Sequence, residues 1–290
     1  MTPITLISSA ADGQPLQATF LPDKGMSLIS YRKGGLDVLD PATRLDFETY
    51  GAGLGCLIGP HFYLQKEEWI QPIKDPSLFP HLLFTEKKGY KDPFSHGIGR
   101  YAPWKYEATE RTISAKLCGK DIWKGTALSE LEGADFTLRV DAELTPQGLN
   151  IALHASSTRV CVIGLHYYYL LPPGKAQVTA LVKDVYNNKG KFMPIEKRWI
   201  KKGSNHLMFD LREFADYGFL PLKEDHSGEV QLETSTYKLR ICYQGASEEV
   251  SWQLYHPENA TFVCIEPISA KNPRGLTASS SSLTTRIEIL

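Results

Sequence analysis

The sequence has no apolar run approaching the ~18 consecutive residues that a membrane helix needs. Its opening stretch, MTPITLISSAADG, lacks the basic region and the long apolar segment of a secretory signal, so the Asn259-Ala260-Thr261 sequon carries no meaning. It also lacks an excess of either charge. With 32 Lys plus Arg against 33 Asp plus Glu, it offers no field to attract nucleic acid or an anionic membrane. The five cysteines are an odd number, and no two show the C-x2-C spacing of a zinc site or redox dithiol. They read as reduced core residues of a cytoplasmic protein. No H-E-x-x-H, P-loop or G-x-S-x-G is present, and GAGLGC places glycine at its first, third and fifth positions without a surrounding βαβ pattern. Zincin, NTPase, α/β-hydrolase and dinucleotide-binding readings therefore lack support.

Helical periodicity is nearly missing as well. In its place, stretches rich in β-branched and aromatic residues recur from end to end, among them ITLISS, QATFLP, MSLISY, CVIGLHYYYLL, VSWQLY, TFVCIEP and TTRIEIL. In FTLRVDAELTPQGLNIALHASS, Leu138, Val140, Ala142 and Leu144 alternate with polar neighbours, and TPQG turns the chain into a second alternating run. This spells a half-buried antiparallel hairpin. REFADYGFL is the one segment given a helical turn, LQKEEWIQPIKDPSLFPH reads as a long loop, and the Ser279 to Ser282 run reads as a solvated loop. No repeat and no composition step divides the 290 residues, so the expectation is an all-β chain forming one continuous domain over 1–290.

Three places carry polar residues that the pattern does not explain. In CVIGLHYYYLL, His166 shares a strand face with Gly164 and Tyr168, where the glycine leaves room for a ligand and the tyrosine offers a flat wall. The alternative is a core histidine satisfied by a backbone carbonyl. In TFVCIEPI, Glu266 falls on the face of Phe262 and Cys264, where alternation predicts burial. A buried carboxylate must pair with a cation or take a raised pKa, as a general base requires. If the strand ends at Pro267, the carboxylate simply reaches water. In SHGIGRYAPW, His96 precedes Gly97 and suits a turn, Arg100 fits a surface charge, and Trp104 fits either core packing or the floor of a sugar site.

Taken together, SHGIGRYAPW, GLHYYY and VSWQLYHPENATFVCIEPIS resemble the aldose 1-epimerase (galactose mutarotase-like) family, and LPDKGMSLISYRKGGLDVLDP and TTRIEIL look like its first and last strands. The resemblance implies a large antiparallel β-supersandwich with few short helices. It implies interconversion of the α and β anomers of an aldohexose, with no cofactor and no metal. Carried across, Glu266 is the base at the anomeric hydroxyl, His166 the acid at the ring oxygen, and His96 an assistant at the ring oxygen or a neighbouring hydroxyl. Asp216 in ADYGF corresponds to a hydroxyl-binding aspartate, and Arg100, Trp104 and Tyr168 complete the substrate-binding set.

One departure stands out: family members commonly carry an arginine upstream of the His-Gly loop, and here no arginine lies between Arg44 and Arg100, leaving Lys66 as the nearby cation. Two alternatives accompany this reading. Seven basic residues between Lys183 and Lys202 suit a hexose 6-phosphate mutarotase, though a solvated face explains them as well, and the same scaffold suits a non-catalytic sugar-binding or sugar-sensing protein. The expected partner is a small sugar, with neither nucleic acid nor membrane. No oligomeric state is specified.

Overall fold

The computed structural model describes residues 2–290. Two antiparallel sheets share one strand. The first runs, in spatial order, through Ile4–Ser9, Pro15–Leu21, Ser27–Lys33, Gly55–Ile58, Gly164–Leu170, Phe262–Ile268, Ser251–His256 and Ala215–Pro221 to the C-terminal half of Gln177–Asn188. The second runs through Lys105–Ala108, Thr112–Cys118, Phe136–Thr145, Gly148–Ser157, Ser280–Ile289, Lys238–Gly245 and Ser227–Glu233 to the N-terminal half of the same strand, with His206–Asp210 beyond it. The pairing register shifts between Val182 and Tyr186, where the shared strand passes from one sheet to the other.

Period-two alternation explains most of this architecture. In Phe136–Thr145 every second residue is buried, and Thr145 pairs with Gly148 across the turn that TPQG forms. Inward-facing residues of both sheets, among them Leu6, Phe20, Tyr167, Leu153, Ile241 and Ile287, form one contiguous apolar cluster. Apolar burial on this scale is the main force holding the sheets together. Among the described residues the α-helices are short, Arg44–Tyr50, Leu82–Lys87 and Leu128–Glu132, and none is long and apolar enough to cross a membrane.

Several local expectations are corrected. The helical turn placed on REFADYGFL is a strand, Ala215–Pro221, because it pairs on both sides, with Ser251–His256 and with the shared strand, and ladder bonds outweigh a weak local preference. The serines thought to form a solvated loop begin the last strand: Ser280, Ser281 and Ser282 pair with Ser156, Ala155 and His154. Pro267 does not end its strand but lies inside Phe262–Ile268, opposite Trp252. All five cysteines are free, yet only Cys56, Cys161 and Cys264 are buried; Cys118 and Cys242 occupy partly exposed strand positions.

Candidate active site

Glu266 and His166 come from neighbouring strands of the first sheet. The strand Gly164–Leu170 lies beside Phe262–Ile268, with Tyr168 opposite Cys264 and Gly164 opposite Ile268. Gly164 does not open space for a ligand: a Cβ there would stand 2.7 Å from the Pro267 carbonyl oxygen, so the glycine permits the two backbones to approach. His166 is brought to Glu266, with Nε2 3.4 Å from Oε1, while its Nδ1 faces the Cys264 thiol at 3.5 Å. Both side chains are buried, 6% exposed for His166 and 3% for Glu266.

Burial decides the charge of this pair. It pushes the Glu266 carboxyl up to about 7, against the Cys264 thiol and the Arg100 guanidinium, which both favour the carboxylate. Burial, aided by Arg100, holds His166 well below the usual histidine range. At neutral pH the imidazole is therefore uncharged, and the carboxyl is poised between its two forms.

His96 makes the turn and also faces the cavity. Its φ of 65° lies in the left-handed region, and Gly97 follows at 90°. A Cβ on Gly97 would stand 2.0 Å from the Gly59 carbonyl oxygen, so no other residue fits there. The backbone is held on both sides: His96 N–H donates to Tyr63 O, Gly59 N–H to His96 O and Gly99 N–H to Gly59 O, at 2.8, 2.8 and 2.9 Å. The His96 ring meets His166 edge-on, with centroids 4.7 Å apart. Its Nδ1 is buried without a hydrogen-bond partner, and burial with the nearby Arg100 charge keeps it well below the usual histidine range.

Beneath the loop lies a buried charged cluster that sequence reading missed. His61 Nδ1 is 2.6 Å from Glu132 Oε1, and its Nε2 is 3.0 Å from Asp92 Oδ2. Burial alone would lower the His61 pKa, but the two carboxylates overcome it and hold the imidazole up at about 10. Glu132 Oε2 accepts from Ile98 N–H at 3.1 Å, and Asp92 Oδ1 from Phe94 N–H at 2.9 Å. The cluster therefore pins both sides of His96.

The cavity above these groups has a volume of about 480 Å3, and His96, Arg100, His166, Tyr168, Asp216 and Glu266 all line it. Arg100 is buried, donates from Nε to Leu57 O at 3.0 Å, and leaves Nη2 without a partner. Tyr168 stacks on Phe262, with centroids 4.2 Å apart. Trp104 does not belong to this set: its buried indole donates to Gly99 O at 2.8 Å and braces the loop from outside the cavity. Gln253, opposite Glu266 in the ladder, and Tyr255, opposite Asp216, also line the cavity. Sequence reading missed both, although period-two alternation in VSWQLY puts them on one strand face. Gly218 makes room for the Gln253 amide, which would lie 2.5 Å from a Cβ there.

Lys66 is not the cation of this cavity. Lys88, Lys189 and Arg274 line it instead, and Arg274 stands 4.5 Å from the Tyr63 ring centroid. His166, Cys264 and Glu266 offer ligand atoms within 4.8 Å of one another.

The fold recurs in solved structures along the whole chain. A galactose mutarotase-like protein from Lactobacillus casei matches with a TM-score of 0.68 at 13% identity, each chain covered completely. The chain has the galactose mutarotase-like fold. An aldose epimerase homologue from C. elegans matches with a TM-score of 0.67 at 12% identity over 100% of both chains. A galactose mutarotase-like protein from Clostridium acetobutylicum gives 0.65 at 12% identity, over 99% of this chain and 98% of that one. No family model and no curated protein sequence matches. On the mutarotase-like fold the His96 loop and the Glu266 strand meet at one cavity, although they lie far apart in sequence.

Proposed function

We propose that the protein is an aldose 1-epimerase that opens and recloses the ring of a hexose by acid-base catalysis at Glu266 and His166. The observation that carries this reading is one buried pair, a carboxyl with a pKa of about 7 beside a neutral imidazole, opening into a cavity rich in polar groups. Opening a hemiacetal removes a proton from O1, adds one to O5, breaks C1–O5 and leaves a carbonyl at C1. Rotation about C1–C2 presents the other face, and closure reverses the transfers.

A single proton shared by the pair satisfies both transfers. Burial holds it on Glu266 in the free site, and passing it to His166 makes Glu266 the base at O1 and His166 the acid at O5. Holding the sugar against both groups supplies the rest. His96 and Arg100, each with a buried nitrogen that has no hydrogen-bond partner, and the Asp216 carboxylate line the cavity and are the hydroxyl-binding groups. Metal or cofactor is not needed for these steps.

The test is NMR magnetisation exchange between the α and β anomeric protons of glucose and galactose. The parent accelerates exchange, and Glu266→Gln loses at least ~100-fold. Sugar binding that persists in Glu266→Gln, with no acceleration by the parent, would instead make the protein a non-catalytic sugar binder.

A second reading concerns the substrate. Lys189 and Arg274 at the cavity wall favour a phosphorylated hexose, although all seven basic residues of the 183–202 segment are exposed. Lys189→Ala raises KM for glucose 6-phosphate and not for glucose if the phosphate is held there.

A further inference from the structure

The wall formed by Phe62, Pro273 and Arg274 has a second side. Behind it lies a separate cavity of about 280 Å3, whose floor and flank are Lys66, Trp69 and Arg159. The Arg159 guanidinium lies 5.1 Å from the Trp69 ring centroid, and Lys66 Nζ lies 4.8 Å from the same centroid. Arg274 closes the third side, 5.6 Å from the Phe62 centroid.

Charge around this cavity is unbalanced. Among the described residues, Lys66, Arg159 and Arg274 have no carboxylate within ion-pair distance. The one carboxylate in the lining, Glu132, is already engaged by His61, by Gln65 Nε2 and by Ile98 N–H. Arg159 Nη1 is buried and has no hydrogen-bond partner. A buried charged donor without an acceptor is destabilising, and an anionic ligand supplies the acceptor.

We propose that this cavity is a second binding site, for a small phosphorylated metabolite. Arg159 and Lys66 hold the phosphoryl oxygens beside Trp69, and Arg274 closes over them from the shared wall. The cavity is smaller than the ~300–1,000 Å3 usual for organic ligands, which restricts the occupant to a compact ester. Arg274 lines both cavities, and Phe62 meets the His96 ring edge-on at 5.1 Å, so the occupant bears directly on the wall of the main cavity.

Glycerol 3-phosphate is the probe, titrated into the full chain by calorimetry at an ionic strength fixed with sodium chloride. The expected result is saturable binding that weakens at least tenfold in Lys66→Ala with Arg159→Gln and is unchanged in Lys189→Ala. Circular dichroism of each variant establishes that it is folded, and Lys66→Ala alone gives a milder surface change that must still weaken binding. Unchanged affinity in the double variant, loss in Lys189→Ala, or no saturable binding by the parent would each overturn the proposal. The last consequence, altered anomeric exchange when the probe is bound, rests on the epimerase reading. Binding itself does not, so the two can fail separately.

Discussion

His166 Nε2 stands 3.4 Å from Glu266 Oε1 in a site where burial opposes a charge on either residue. On the proposed epimerase reading, one proton on this pair is what ring opening requires. Since the Glu266 carboxyl titrates at about 7 and His166 is already neutral, raising the pH removes that proton. The expected kcat/KM for glucose falls as pH rises through about 7. A profile that instead rises through the same range would mean that Glu266 acts as a base alone and that the ring oxygen takes its proton from elsewhere.

On the proposed reading, Cys264 positions and tunes the pair. Its thiol faces His166 Nδ1 at 3.5 Å and lowers the Glu266 pKa against the effect of burial. Replacement by Ala removes that influence, so the descending limb of the pH profile moves to higher pH. A purely structural loss would lower the rate equally at every pH.

His96 is tested without disturbing its backbone by His96→Asn, because Asn tolerates positive φ. Turnover falls by ~100-fold or more if the imidazole acts on the sugar, while the thermal midpoint stays within a degree or two of the parent. A large drop in midpoint with normal turnover would assign His96 to the turn alone.

The cluster beneath the loop gives a different pH signature. The His61 pKa rises from 6.5 to about 10 on folding, so its stabilising contribution is complete below about 6.5 and is lost as pH rises through about 10. The thermal midpoint falls across that window, and the fall is absent in His61→Gln. Glu132→Gln removes one partner of a buried pair, which costs about 3 kcal/mol. The midpoint drops by about 6–12 °C as a result. Releasing Ile98 N–H from Glu132 also loosens the loop that carries His96.

What the sequence made legible follows from how far each signal reaches. Glu266 and His166 betrayed themselves because strand alternation put an ionisable residue on an apolar face. Gln253 and Tyr255 obeyed the same rule beside Glu266. Arg274 sits in KNPRGL, a loop with no period, and only the fold brings it to the cavity wall. The His61, Asp92 and Glu132 cluster is assembled from three distant segments, each unremarkable alone. Trp104 misled for a local reason: an indole after proline looks the same whether its face packs inward or meets a sugar, and here Gly99 O claims its N–H. REFADYGFL became a strand through neighbours on both sides that lie more than 30 residues away in the chain, which no window reveals.

The strand Ser280–Ile289 lies in the interior of its sheet, bonded to Gly148–Ser157 on one side and to Lys238–Gly245 on the other. Without that strand, two facing rows of backbone donors and acceptors have nothing to close them. The second sheet therefore closes only when this strand docks, and without it the half-built sheet exposes two open edges on which chains can pair with one another.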